Sequence, residues 1–88
     1  MRRAADDTGV IAVAARNVRA ARKAAGLSQE QLAYEAGVDR TYVSQVERRL
    51  RNVTITVLAR IAKALRTTPD KLLSASTASV SKGAAKHK

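Results

Sequence analysis

Four polar side chains, Arg40, Thr41, Ser44 and Gln45, stand at positions i, i+1, i+4 and i+5. On a helix that spacing sets them along one face, and their shared chemistry is the reading of hydrogen-bonding edges. A guanidinium such as that of Arg40 pairs bidentately with guanine O6 and N7, worth about 1–3 kcal/mol of discrimination; solvent or a phosphate would also satisfy it. Thr41 offers a hydroxyl to a base and a methyl to thymine. Ser44 adds a second hydroxyl, and Gln45 a carboxamide suited to adenine or to a phosphate.

Such a face requires a short helix held against a core, and the flanking residues supply one. Ser28 and Gln31 form a Ser-x-x-Gln capping box that opens a helix over 29–36. Ala33 is small enough for a close crossing, and Gly37 takes the positive φ of a sharp turn. Asp39 is placed to cap the next helix, 40–49, in which Val43 and Val46 turn inward. Two short helices joined in this way form a helix-turn-helix whose recognition helix starts at Arg40.

The remaining elements brace this pair. An Ala-rich helix over 10–25 repeats Ile11, Ala14, Val18, Ala21 and Ala25 at helical spacing and ends at Gly26. A basic loop, 50–53, leads to Thr54, which caps a fourth helix carrying Leu58, Ile61, Ala62 and Leu65 as a buried stripe. Thr68-Pro69-Asp70 starts a short fifth helix holding Leu72 and Leu73. The expected architecture is all-α: a compact five-helix domain over 10–73, a flexible leader over 1–9 and a disordered basic tail over 74–88. In that tail Val80 is the one larger apolar residue, too little to offset ordering entropy.

Composition narrows the partner. Seventeen Lys and Arg against seven Asp and Glu give +10 on 88 residues, which points to a polyanion, either nucleic acid or an acidic membrane surface. The leader is neutral and the tail contributes Lys82, Lys86 and Lys88, so +7 belongs to 10–73. Spreading charge over a folded domain argues against a membrane-surface peptide. There is no apolar run of about 18 residues to span a bilayer, and Asp6 and Asp7 interrupt any signal-peptide core. With no Cys there is neither a disulfide framework nor a thiolate metal site, which is compatible with the cytoplasm. The only aromatics are Tyr34, expected to pack at the edge of the second helix, and Tyr42. A core without Phe or Trp supports about a few kcal/mol, so dimerisation is expected.

Catalysis is not expected. His87 lies in the tail, Ser28 and Ser44 have no ordered His to activate them, and the acidic residues show no metal-ligand spacing. No cofactor or metal is implied. Phosphate anchoring is expected from the amides at the start of the second helix, beside Ser28 and Gln29, and from Arg48, Arg49, Arg51 and Asn52 after the recognition helix. Tyr42 suits a sugar or phosphate contact sensitive to DNA shape. Arg60, Lys63 and Arg66 read as a solvated face turned away from DNA.

Ser28-Gln29-x-x-Leu32-Ala33, Ala36-Gly37-Val38 and Val43-Ser44-x-Val46-Glu47 resemble the Xre or lambda-repressor-like DNA-binding domains over about 18–73. Asp39 to Ser44, followed by Glu47-Arg48 and Arg51-Asn52, is most similar to the controller proteins of restriction-modification systems. The resemblance implies a transcriptional regulator from a bacterium or phage, cytoplasmic and nucleoid-associated. It would bind a pseudo-palindromic double-stranded operator as a homodimer, its recognition helices about 34 Å apart. Two dimers on adjacent sites and contact with RNA polymerase are further implied partners. An antitoxin of a toxin–antitoxin module and a protein-binding co-activator are the alternatives.

The resemblance also implies phosphate binding by Gln29 and a structural Arg22–Glu47 bridge. The dimer surface would lie on the fourth and fifth helices, with Val57, Leu72 and Leu73 as candidates. Many relatives have Gly where Arg49 stands. A left-handed Arg costs about 1 kcal/mol, so either the recognition helix runs on or its loop takes another course.

Overall fold

The computed structural model describes residues 2–75, with side chains from residue 9 onward. Five helices account for it: α1 (Arg2–Ala24), α2 (Gln29–Ala36), α3 (Arg40–Glu47), α4 (Ile55–Ala64) and α5 (Pro69–Leu72). No strand occurs among the described residues. The side chains of residues 1–8 and the tail from residue 76 on, with Val80 and His87, lie outside the described residues.

The α1 helix starts at Arg2, well ahead of the expected Val10. Arg and Ala are strong helix formers, no Pro intervenes, and Gly9 costs only about 1 kcal/mol inside a helix. The stripe of α1 that faces the core is Ala14, Ala15 and Val18, with Ala21 partly covered. Val18 meets Leu32 of α2, Val43 of α3 and Ile61 of α4 in one cluster, each fully buried, and Val46, Leu58, Leu65 and Leu72 close it. Small residues, Ala33 and Ala36, let α2 lie against its neighbours.

Start signals were largely readable. The Ser28 hydroxyl accepts from the Gln31 amide at 3.0 Å while Gln31 Oε1 accepts from the Ser28 amide at 2.8 Å, completing the capping box. Thr54 Oγ1 accepts from the Val57 amide at 3.2 Å. Asp39 sits at the N-cap of α3 with extended backbone, but its side chain makes no capping hydrogen bond, unlike the expectation. At α5, the Thr68 side chain beside Asp70 lowers the pKa of its carboxyl from the ordinary value.

Four helix ends share one hydrogen-bond pattern. After α1, Gly26 N donates to Lys23 O and Leu27 N to Arg22 O; after α2, Gly37 N to Tyr34 O and Val38 N to Ala33 O. Arg49 N to Val46 O with Leu50 N to Gln45 O repeats it after α3, and Arg66 N to Lys63 O with Thr67 N to Ala62 O after α4. This pairing requires a left-handed residue, and φ is 73° at Gly26 and Gly37, 64° at Arg49 and 60° at Arg66. The recognition helix therefore stops at Glu47 instead of Arg49, and the positive-φ turn is made by an arginine.

Asn17 has a role that the sequence reading did not assign. It is buried on the apolar side of α1, where its Nδ2 donates to Leu72 O at 2.8 Å and Ser74 O at 3.1 Å. The Leu72 carbonyl closes α5, where no intrahelical donor remains, so one carboxamide ties α5 and the residue pair after it to α1.

Candidate nucleic-acid interface

Packing decides which way α3 faces. Val43 and Val46 are sunk in the core, so Arg40 and Thr41 are left exposed, with Ser44 and Gln45 half-buried one turn later. The four residues singled out from the sequence thus share the outer side of one two-turn helix. The amides of Gln29 and Glu30 at the start of α2, and those of Arg40 and Thr41 at the start of α3, have no acceptor among the described residues. Helix N-termini of this kind present donors and the positive end of a dipole to anions.

One ion pair locks α3 to the scaffold. Arg22 Nε donates to Glu47 Oε2 at 2.7 Å and a terminal nitrogen to Oε1 at 3.0 Å. The other terminal nitrogen reaches Leu27 O at 2.9 Å. The Glu47 side chain is 1% exposed and that of Arg22 11%. A carboxylate this deep needs its lone pairs filled, and Gln29 Nε2 donates the third bond, to Oε1 at 3.1 Å. Glu47 holds the Arg22 guanidinium above its ordinary pKa through the hydrogen bonds, with burial opposing and charge attraction assisting. The Gln29 side chain is therefore turned inward onto Glu47, which leaves its second amide hydrogen for any phosphate.

The loop after α3 departs from the expectation of outstretched cations. Arg48, Arg49 and Asn52 are exposed, but Arg51 folds back over the helix. Its guanidinium carbon lies 4.4 Å from the centre of the Tyr42 ring, and its Nε donates to Gln45 Oε1 at 2.9 Å. The Leu50–Gln45 backbone bond returns the loop over the last turn of α3, and a planar cation stacks on an aromatic face as an ammonium does not. The Tyr42 hydroxyl accepts from the Thr54 amide at 3.3 Å, so Tyr42 is half-buried against the start of α4.

Two other surfaces stand out. Leu72 is buried in the protomer's core and is withdrawn as an interface candidate, and Val57 is partly buried against the same core. Leu73 is 44% exposed and lies with Val10, Ile11, Val53 and Ile55 around an open apolar groove of about 190 Å³. Ile55 is 82% exposed and Val10 52%, and neither was singled out from the sequence. Arg60, Lys63 and Arg66 line a separate open depression beside Tyr34, which is exposed instead of packing along α2.

Among the described residues no group of three or more His, Cys, Asp or Glu is placed to hold a metal ion. Nor is any helix there long and apolar enough to cross a membrane.

A helix-turn-helix family model matches residues 18–72. Control protein C.SmaI of Serratia marcescens is 52% identical over 61 residues, covering 69% of this chain and 73% of that protein. Among solved structures, the restriction-modification controller protein C.AhdI from Aeromonas hydrophila superposes with a TM-score of 0.68 at 42% identity, over 70% of this chain and 94% of that one. The controller C.Esp1396I, solved as a tetramer in complex with its natural 35 base-pair operator, gives a TM-score of 0.66 at 35% identity, over 72% of this chain and 83% of that one.

Proposed function

The chain belongs to the Xre-like helix-turn-helix family, and from that premise we propose that it is a sequence-specific transcriptional regulator acting as the controller of a restriction-modification system. The observation that carries this is the outer face of α3. Arg40, Thr41, Ser44 and Gln45 are presented together by a helix whose opposite face, Val43 and Val46, is anchored in the core. Similarity to C.SmaI and C.AhdI supports the controller assignment.

In this reading Arg40 enters the major groove first and pairs with guanine, Thr41 and Ser44 contact neighbouring edges, and Gln45 reads the base one turn along. The α2 amides beside Ser28 and Gln29, with Arg48, Arg49 and Asn52, grip phosphates on either side and set the register. The protein acts as a homodimer on a pseudo-palindrome, joined across the apolar groove that includes Ile55 and Leu73. C.Esp1396I is a tetramer on its operator, and two dimers of this chain on one operator fit a regulation in which occupancy follows protein concentration. Its place of action is the bacterial cytoplasm, and no catalytic step is assigned to it.

Selection of bound sequences from a random DNA library at physiological salt tests the proposal. The wild type should enrich a palindromic motif, and Arg40→Ala should bind with one base position per half-site relaxed. Recovery of no motif by the wild type would refute sequence-specific regulation.

A further inference from the structure

Gln45 is not a free carboxamide. Its oxygen is engaged by Arg51 Nε at 2.9 Å. An arginine has donors only, so the carboxamide end that faces it must be the oxygen, and the –NH2 end is turned the other way. Arg51 is held in turn, because its guanidinium lies on the Tyr42 ring at 4.4 Å. Tyr42 is anchored to α4 through the Thr54 amide. The chain Thr54–Tyr42–Arg51–Gln45 thus runs from the scaffold to a residue on the outer face of α3.

We propose that Arg51 is a specificity-determining positioning residue: it fixes the carboxamide of Gln45 so that a donor, and not an acceptor, faces the major groove. The inference rests on the DNA-reading role proposed above and refines it. A freely rotating glutamine reads adenine best, accepting from N6 while donating to N7. The oxygen keeps a second lone pair, but turned toward Arg51 it is no longer free to sit on adenine N6 while the –NH2 reaches N7, so the bidentate pairing is disfavoured. A lone donor favours guanine, whose N7 and O6 both accept, and disfavours cytosine, whose N4 amino group only donates. Arg51 then serves as more than a phosphate cation, although it touches no base itself.

The test is library selection with the wild type, Arg51→Ala, Arg51→Lys and Tyr42→Phe, repeated in a Gln45→Ala background. The position read by Gln45 is the one whose preference Gln45→Ala abolishes. There the wild type should prefer guanine and exclude cytosine by about fivefold, the scale of one hydrogen bond. Arg51→Ala should relax that position toward adenine and leave the other positions unchanged. Arg51→Lys should do the same despite keeping its charge, since it lacks the planar Nε fork. Tyr42→Phe keeps the stacking ring but loses the Thr54 anchor, so it should weaken the guanine preference less than Arg51→Ala does. In the Gln45→Ala background, substituting Arg51 should alter no base preference.

Arg51 exposed on a loop leaves the fold little reason to depend on it, and thermal melting of each variant checks this. If Arg51→Ala weakens binding to every sequence equally and lowers the salt dependence by about one phosphate contact, Arg51 is a phosphate clamp and the proposal fails. An adenine preference in the wild type would also overturn it. Both results leave DNA reading by α3 standing, whereas a wild type that selects no motif removes the two together.

Discussion

Arg49 and Arg66 occupy the same place at the ends of consecutive helices. Each is the left-handed residue, at φ 64° and 60°, that lets two amides double back onto the last turn. Gly26 and Gly37 make the identical turn after α1 and α2, so the described residues contain four such caps, two of them filled with a residue that strains there.

Replacing either arginine by glycine should therefore stabilise the protein. The left-handed conformation costs a non-glycine residue about 1–2 kcal/mol, part of which glycine returns as unfolded-state entropy. Arg66→Gly should raise the melting temperature by about 4 °C and leave the enriched DNA motif intact. Arg49→Gly should stabilise comparably but lose affinity uniformly across sequences, because it removes a cation from the proposed phosphate grip. Calorimetry with a salt titration of binding separates the two; a drop in melting temperature for Arg66→Gly would show that its side chain outweighs the strain.

The Arg22–Glu47 pair should behave as scaffold. Arg22→Ala leaves a carboxylate that is 1% exposed with only the Gln29 bond, a change that costs about 3–5 kcal/mol when a buried pair is broken. Urea denaturation should show that loss, and the Arg22→Met/Glu47→Leu double variant should recover much of it. Glu47 raises the Arg22 pKa, so the bridge contributes fully below arginine's unfolded value and weakens only as pH rises beyond it. Stability between pH 7 and pH 10 should accordingly show no step from Arg22. Whatever protein stays folded should keep its base preferences.

Much of this architecture is legible in the residues, for local reasons. The Ser28–Gln31 box, Gly26, Gly37 and Pro69 act within a few residues of themselves, so they mark their helix boundaries directly. The inward valines of α3 follow from periodicity. The Arg22–Glu47 pair spans 25 residues and was accessible only through family resemblance. Asn17 spans 55 residues to its acceptor and carries no such pattern; a single Asn amid apolar neighbours at 14, 15 and 18 was the available hint. The fold-back of Arg51 onto Gln45 follows the left-handed turn at Arg49, a conformation whose cost to an arginine argues for a longer helix or another loop course.

Asn17 offers a second measure of long-range order. Asn17→Ala strips the carboxamide donor from the Leu72 carbonyl and should cost about 1–3 kcal/mol. The loss should be local first. Hydrogen exchange at Leu72 and Leu73, whose amides close α5 onto Thr68 and Pro69, should accelerate more than at Leu32 or Val43. Uniform acceleration would mean that α5 unfolds only with the whole domain.

The proposed dimer surface separates from the core at the level of single residues. Ile55 is 82% exposed in the protomer, whereas Leu72 is 2% exposed. Ile55→Glu should therefore yield a protein with unchanged helicity that sediments as a monomer, while Leu72→Glu should unfold it, because a buried unpaired carboxylate has nothing to offset its desolvation. Loss of the dimer removes the second recognition helix from the operator. Binding to a full palindrome should then fall about 100-fold or more, toward that of a half-site, since the second contact no longer benefits from its effective concentration. An Ile55→Glu protein that stays dimeric and binds normally would place the interface elsewhere. Leu73→Glu, which lines the same groove, would then be expected to leave the dimer intact as well.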